Sequence, residues 1–285
     1  HRNWMPNTKH LELFPDDLPL PTTLLDDYGG NRSPASRDAD QRIADMFLSL
    51  DMKLMPGDYP QETGSGGSTS PRYNPEDDWR AAYQRMTPEQ QTAWNAHYDE
   101  VRRDFRETPR SPEELFQWKF QRYLKDYLRC IVSVDENVGR LLDYLDETGL
   151  TENTLVVYTS DQGFYLGEHG WYDKRFMYEE SFRMPLMIRY PPLIKPGTVN
   201  QDLVVNIDFA PTFLDLAGVE VPTDMQGSSL LPVLAGKTPA NWRKAVYYHY
   251  YEYPHGWHRV KRHYGIRDIR YKLIHFYNDI DAWEL

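Results

Sequence analysis

The clearest periodic pattern of apolar positions lies between Ser111 and Gly149. Ser111 supplies a helix N-cap, Pro112 takes the first helical position and Glu114 completes a capping box. Apolar residues then recur with the spacing of one helix face, at Leu124, Leu128, Ile131, Val138, Leu142 and Leu145. Gly149 is a C-terminal stop signal. The pattern predicts one long helix between these two ends.

Strand patterns follow this helix. Residues 154–159 form an uninterrupted apolar and β-branched run, which is typical of a buried strand in a parallel sheet. Residues 185–190 predict another strand, and residues 210–218 predict a helix that Asp208 caps. A long helix that leads into a buried strand indicates an α/β layered architecture.

The pattern changes towards the two ends of the chain. Residues 1–30 are Pro-rich and aperiodic, so they predict an extended surface segment. Residues 38–52 predict a short helix, and residues 75–106 predict polar helical structure. Residues 245–277 contain three runs that predict antiparallel strands of a small β subdomain.

Composition and charge exclude several classes of function. The chain has 285 residues and a net charge of -11, which argues against broad binding of nucleic acid or of a membrane surface. No apolar run is long enough for a transmembrane segment. The single cysteine, Cys130, excludes an intrachain disulfide. The first residues lack the features of a signal peptide and both ends look cut, so the localisation stays unknown at this point.

Asp161 and Gln162 come directly after the strand predicted at 154–159. Ligands of open α/β sheets gather beyond the C-terminal ends of strands. Carboxylate and amide oxygens are hard ligands that suit Ca²⁺. The alternative is a carboxylate that caps the following turn.

The segments around this pair carry a family resemblance. Residues 160–175 resemble the metal and sulfate loop of type I sulfatases, which depend on formylglycine and belong to the alkaline-phosphatase superfamily. The resemblance continues through residues 178–181, 184–186 and 207–212, and residues 1–6 match a segment that follows a core strand. It covers nearly the whole chain in order, and it is nearest to bacterial glycosaminoglycan sulfatases of the N-acetylglucosamine-6-sulfatase type.

The resemblance implies a fold and a chemistry. We expect an alkaline-phosphatase-like α/β sandwich, with residues 1–240 as the C-terminal part of its large domain. Residues 241–285 would begin a smaller antiparallel β subdomain. The family hydrolyses sulfate esters: a formylglycine hydrate attacks sulfur, and one Ca²⁺ ion with cationic side chains stabilises the charge. A periplasmic or secreted location is the family expectation.

The resemblance also assigns roles to particular residues. Asp161 and Gln162 match two calcium ligands, and Lys174 matches a lysine that contacts a sulfate oxygen. His1 matches a histidine that contacts the sulfate and protonates the leaving oxygen. The alternatives are a solvated surface lysine and a frayed chain end. His169 lies between the ligands and Lys174, where it either contacts substrate or, as we favour, bonds across the loop.

Other candidate signals do not fit the family pattern. Asp26 and Asp27 imitate an early ligand pair but lie in a Pro-rich turn. Residues 33–37 imitate the formylglycine motif, but the proline directly follows the serine. Cys130 lies mid-helix among apolar residues, and Asp208 is interpreted as a cap. The formylglycine is therefore absent from this chain, which we expect to hold half of a metal site, to lack the N-terminal half of the same protein and to be inactive alone.

A basic segment at residues 255–275 is either a surface that recognises an anionic sugar or a solvated strand face, half of whose side chains point away from any site. The turn at 253–258 offers Trp257 and His258 to a sugar, and Arg267 can pair with an anion. The alternative is that Trp257 packs against the α/β domain. The sequence thus predicts a sulfuric ester hydrolase with a sulfated glycan as substrate. A phosphodiesterase or phosphonate hydrolase, and a non-catalytic glycan-binding relative, remain open alternatives.

Overall fold

The structure, a computed structural model, describes residues 4–26, 33–59, 75–255 and 257–285. In these ranges the α-helices are α1 (Pro34–Arg37), α2 (Pro75–Gln84), α3 (Pro88–Glu107), α4 (Pro112–Glu147), α5 (Glu179–Phe182), α6 (Phe209–Leu216) and α7 (Leu231–Leu234). The strands are β1 (Val156–Thr159), β2 (Tyr165–Leu166), β3 (Tyr172–Asp173), β4 (Leu186–Arg189), β5 (Val246–Tyr250), β6 (His263–Arg267), β7 (Lys272–Phe276) and β8 (Ala282–Glu284).

The predicted long helix is confirmed as α4. Its capping box is complete, because the Ser111 N–H donates to Glu114 Oε2 at 2.7 Å and the Glu114 N–H donates to Ser111 Oγ at 3.3 Å. Gly149, just beyond the helix, has a φ of 70° that suits glycine. The polar segment before α4 forms α2 and α3, as expected, and Thr87 opens α3 with a second capping box.

The strand pairs of the described ranges are antiparallel. β1 pairs with β4, β2 pairs with β3, and β5 to β8 form a four-stranded sheet in sequence order. The predicted strands of the β subdomain are thereby confirmed, and β8 joins them. The prediction for residues 154–159 was wrong in two respects: β1 is only partly buried, and its partner runs antiparallel. An apolar run indicates that a strand can be buried, but it does not indicate which strand pairs with it or in which direction that strand runs.

Two predictions near the start of the chain were also wrong. Residues 38–52 form turns and a 3₁₀ segment at Ile43–Asp45 instead of an α-helix. Residues 4–26 have no α-helix or strand, only a 3₁₀ turn at Thr8–His10, which agrees with their prolines, but they are not simply a surface segment, because Trp4, Leu11 and Leu24 are buried. Large apolar side chains anchor this irregular backbone to the core.

The chain divides into two compact units that interleave along the sequence. The first unit holds residues 1–140, 164–174 and 252–261, and the second holds residues 141–163, 175–251 and 262–285. The predicted domain boundary after residue 240 stays a prediction. No helix in the described part of the chain is long and apolar enough to cross a membrane.

The first unit is organised around α4. Phe120 and Tyr123 on this helix are fully buried and pack in one core cluster with Trp4 and Tyr172. The Tyr123 hydroxyl donates to the carbonyl oxygen of Tyr165 at 2.7 Å. The hairpin of β2 and β3 is therefore fixed to a rigid helix.

The second unit is organised around the four-stranded sheet, one face of which is buried. Phe176 stacks on His263, with 5.8 Å between ring centroids, and meets Phe276 edge-on. A Cβ atom on Gly265 would lie 2.5 Å from the sulfur of Met177. The chain after residue 175 therefore lies directly on this sheet.

Candidate active site

Asp161 and Gln162 lie just after β1, in the second unit. The Asp161 side chain is exposed, and its Oδ1 accepts a hydrogen bond from the Ser160 hydroxyl at 3.4 Å. The next residue is held tightly: the Gly163 N–H donates to the Ser181 carbonyl at 2.9 Å, and a Cβ atom on Gly163 would lie 2.3 Å from a backbone oxygen. The loop that carries Asp161 and Gln162 is therefore fixed by backbone contacts at Gly163.

These two side chains fit calcium in kind but not in number. Their oxygens are hard ligands, but Asp161 and Gln162 offer about three side-chain oxygens together, whereas Ca²⁺ takes about six to eight. Residues 4–26, 33–59, 75–255 and 257–285 contain no group of three or more His, Cys, Asp or Glu side chains that could hold a metal. Asp161 and Gln162 would hold one side of an ion, and their role as ligands stays a prediction.

Lys174 follows β3 in the first unit and is not a freely solvated lysine. Its side chain is 28% exposed, and its Nζ lies 3.2 Å from Asp173 Oδ1. The ammonium also lies 5.6 Å from the centre of the Phe164 ring, within cation–π range. The carboxylate and the ring leave the ammonium partly accessible, which is what contact with an anionic ligand requires.

His258 lies in the interior of the first unit. Its side chain is 0% exposed. Its Nδ1 is 2.6 Å from the carbonyl oxygen of Asp40, and its Nε2 is 2.8 Å from Asp173 Oδ2. Sequence reasoning had placed His258 on an exposed recognition turn, and the burial removes the surface position on which that assignment depended.

The backbone around these residues adopts a conformation that side chains usually avoid. His169, Asp173, His258 and Arg259 have φ values of 57°, 68°, 64° and 55°. Left-handed non-glycine residues persist where surrounding contacts determine them, and they concentrate at functional sites. Such a group around Lys174 supports a functional role for this part of the first unit.

Two further predicted substrate contacts have partners within the protein. The His169 Nδ1 lies 2.7 Å from Asp26 Oδ1. Asp26 is itself held in a turn by a hydrogen bond from its backbone N–H. The Arg267 Nε donates to Glu179 Oε1 at 3.1 Å, and Lys272 Nζ lies 2.6 Å from the same oxygen. Burial raises the pKa of Glu179, but the two cations outweigh it and lower that pKa overall. The substrate roles of His169 and Arg267 stay predictions.

The declined signals have structural roles. Burial raises the pKa of Cys130 to about 11, which keeps it a thiol. Ser33 caps α1 by accepting from the N–H of Ser36. The expectation that the Asp208 side chain caps α6 was wrong. Asp208 is instead buried and pairs with Arg243: the Arg243 Nη2 lies 2.5 Å from the Asp208 Oδ1. Its carboxylate binds a cation from a distant segment, which no local pattern can report.

The predicted site residues are divided between the two units. Lys174, His169 and His258 lie in the first unit, whereas Asp161, Gln162 and Arg267 lie in the second. The convergence of Asp161, Gln162 and Lys174 on one pocket stays a prediction. His1 and Asp27 lie outside the described residues.

Comparison with known families identifies the chain. The family described as "Sulfatase" matches residues 67–219, which is more than half of the chain. The chain belongs to the sulfatase family. A second family, described as "N-sulphoglucosamine sulphohydrolase, C-terminal", matches residues 167–285. The fold is that of the alkaline-phosphatase-like sulfatases, with a small antiparallel sheet near the end of the chain.

Individual proteins are similar along all or most of the chain. N-acetylglucosamine-6-O-sulfatase of Bacteroides thetaiotaomicron is 52% identical over 289 aligned residues, which cover 100% of this chain and 50% of the relative. A solved structure of a protein with its substrate D-glucosamine-2-N,6-O-disulfate has a TM-score of 0.89 and 50% identity, covering 100% of this chain and 56% of that one. A phosphonate monoester hydrolase from Silicibacter pomeroyi has a TM-score of 0.50 and 27% identity over 70% of this chain and 38% of its own. The chain thus spans about half the length of the first sulfatase.

Sequence reasoning missed Asp173. This residue precedes Lys174 and contacts both Lys174 and His258, yet in the sequence it is only one position within the family-like segment 160–175. The adjacency of an acid and a lysine carries little information on its own. The contact with His258 joins residues 85 positions apart, and only the folded chain reveals it.

Proposed function

We propose that the protein carrying this chain is a sulfuric ester hydrolase that removes sulfate from O6 of glucosamine units in glycosaminoglycans. The observation that carries this proposal is the 52% identity to an N-acetylglucosamine-6-O-sulfatase over all of this chain. The structural relative whose substrate is D-glucosamine-2-N,6-O-disulfate supports the same sugar. The partly exposed Lys174, held beside a carboxylate, supports binding of an anionic group in this region.

The residues of this chain would divide the work as follows. The Lys174 ammonium binds a sulfate oxygen as a point charge and stabilises the charge that shifts to the leaving oxygen. Asp161 and Gln162 supply side-chain oxygens to one calcium ion. That ion, when bound, supplies further positive charge to the sulfuryl group. His1 protonates the leaving sugar oxygen. The nucleophile, a formylglycine, comes from sequence outside this chain.

The test is sulfate release by the full-length protein. Wild-type protein should release sulfate from N-acetylglucosamine 6-sulfate. Lys174→Ala should lower kcat/KM by about a hundredfold, as loss of one electrostatic contact to a developing charge does. Lys195→Ala, at an exposed lysine in the second unit, is the matched control and should leave the rate unchanged. A Lys174→Ala variant with the kcat/KM of the wild type would refute the assigned role.

The same assay decides between sulfate and phosphonate chemistry. A phosphonate hydrolase remains the second candidate because the structure resembles one at a TM-score of 0.50. Faster turnover of a phosphonate monoester than of the sugar sulfate would favour it, and binding of the sugar without turnover of either would indicate a non-catalytic relative.

We also expect residues 1–285 alone to have no turnover, since no covalent intermediate can form without a nucleophile. Purified chain assayed on a small aryl sulfate should match buffer. Measurable turnover would mean that the nucleophile lies within these residues.

A further inference from the structure

The nitrogens of the His258 ring face two hydrogen-bond acceptors. A carbonyl oxygen has no hydrogen to give, so the Nδ1 that faces Asp40 at 2.6 Å carries one. An ionised carboxylate likewise only accepts, so the Nε2 that faces Asp173 at 2.8 Å carries one as well. The two contacts together favour hydrogens on both ring nitrogens, which is the imidazolium form. Its charge in the interior is balanced by the Asp173 carboxylate, as a buried charge requires.

Backbone hydrogen bonds of residues 40 and 41 also hold His258 and Asp173 in place. The Asp40 N–H donates to the His258 carbonyl at 2.9 Å, so the two residues are joined through both backbone and ring. The next residue, Gln41, accepts from the N–H of Tyr172 in β3 at 3.0 Å. Residues 40 and 41 therefore align His258 with the strand that ends at Asp173. The left-handed backbone at both ends of the pair follows from these constraints.

The Asp173 carboxylate contacts Lys174 as well as His258, so a fixed carboxylate also restrains the lysine. One carboxylate oxygen faces His258 and the other lies 3.2 Å from the Lys174 ammonium. The Asp173 side chain is 10% exposed, whereas that of Lys174 is 28% exposed. A flexible lysine side chain is thereby tied at its charged end to a carboxylate that cannot rotate without losing His258.

We propose that His258 is a positioning residue: it fixes Asp173, which in turn holds the Lys174 ammonium where it binds the anionic group of the substrate. This inference rests on the proposed function, in which Lys174 contacts the sulfate. It differs from a direct contact between His258 and the sugar, which a side chain with 0% exposure does not make.

Kinetics on two substrates in the full-length protein test the proposal. His258→Ala should lower kcat/KM by about tenfold to a hundredfold, the loss expected when a reacting group is misplaced by an ångström or less. The loss should be similar on N-acetylglucosamine 6-sulfate and on a small aryl sulfate, because both present a sulfate to Lys174. His258→Gln keeps a donor near the position of Nε2 and should restore most of the rate. His249→Ala, at an exposed histidine of β5, is the matched control and should leave the rate unchanged.

A double-mutant cycle separates positioning from general damage. In a Lys174→Ala background, His258→Ala should cost less than twofold, because the group it positions is gone. A loss confined to the sugar substrate, or an undiminished loss in that background, would overturn the proposal. If His258→Ala does not fold, Asp173→Asn carries the same cycle with Lys174→Ala, and the same outcomes decide it.

A spectroscopic measurement tests the pair independently of activity. In ¹⁵N-histidine-labelled protein, both His258 ring nitrogens should show the shifts of an imidazolium near neutral pH. Asp173→Asn should return the ring to the neutral form. A neutral ring in the wild type would overturn the inferred pair even if sulfate is released. Inactive wild-type protein with an intact imidazolium signal would instead count against the proposed function.

Discussion

Replacing Asp126 by Asn should destabilise the first unit more than any surface change. Asp126 is fully buried on α4, and Arg122 Nη2, Arg129 Nη1 and Lys53 Nζ lie 3.2, 3.0 and 3.1 Å from its oxygens. Asn has the same shape but no charge, so the three buried cations lose their common counter-ion. Breaking a buried pair in this way costs about 3–5 kcal/mol.

The pH dependence gives a second magnitude. Burial by itself raises the pKa of Asp126, but Arg122, Lys53 and Arg129 together lower it from 3.8 to about 2. A carboxyl group whose pKa is lower in the folded state stabilises the protein. That stabilisation is complete above the pKa of the unfolded state, and it is lost as the pH falls through the pKa of the folded state. The full contribution is about 2 kcal/mol, of which about 1 kcal/mol is lost between pH 5 and pH 3.

Urea unfolding of wild type and Asp126→Asn at several pH values measures both quantities. The gap between the two unfolding free energies should be largest near neutral pH and should narrow by about 1 kcal/mol on acidification from pH 5 to pH 3. Asp146→Asn, whose carboxylate is exposed, is the control and should change stability little. A gap that is absent at pH 7, or that does not change with pH, would refute the charge argument.

Further predictions concern the second unit. Arg243→Ala leaves the buried Asp208 carboxylate without its cation and should lower the unfolding free energy by about 3–5 kcal/mol. Arg189→Ala, which breaks an exposed ion pair, is the control and should cost little. Equal effects of the two substitutions in urea unfolding would contradict this prediction. Gly163→Ala places a Cβ atom 2.3 Å from the Glu180 carbonyl oxygen and should cost about 1–3 kcal/mol by overpacking; an unchanged melting temperature would show that the loop is not held there.

The features predicted correctly from sequence are those that neighbouring residues determine. The α4 helix begins where Ser111 and Glu114 cap each other, three positions apart, and it ends before Gly149. The strands of the small sheet follow from alternation and turn residues. The prediction at residues 38–52 failed because the apolar residues there are buried in turns against other segments, and burial produces an apolar pattern with or without a helix.

The features that sequence could not provide are pairings between distant residues. His258 follows Pro, His and Gly in a turn-like segment, so local chemistry predicts exposure. In the folded chain it is buried because Asp173 and Asp40 accept from both ring nitrogens, 85 and 218 positions away. Arg267 is likewise engaged by Glu179, 88 positions away. The carboxylate that pairs with a given basic residue is determined by the fold and cannot be read from the neighbouring sequence.

One arrangement recurs in this acidic chain: a carboxylate shared by several cations. Asp126 serves Lys53 and two arginines, Glu179 serves an arginine and a lysine, and Asp173 lies between His258 and Lys174. The Asp126 group is closed, because its lysine is 1% exposed. The Asp173 group differs from it in one way that points to function. Left-handed backbone occurs in both groups, at Lys53 as well as at Asp173 and His258. The Lys174 side chain, however, is 28% exposed, and only an accessible ammonium can bind an anion from outside.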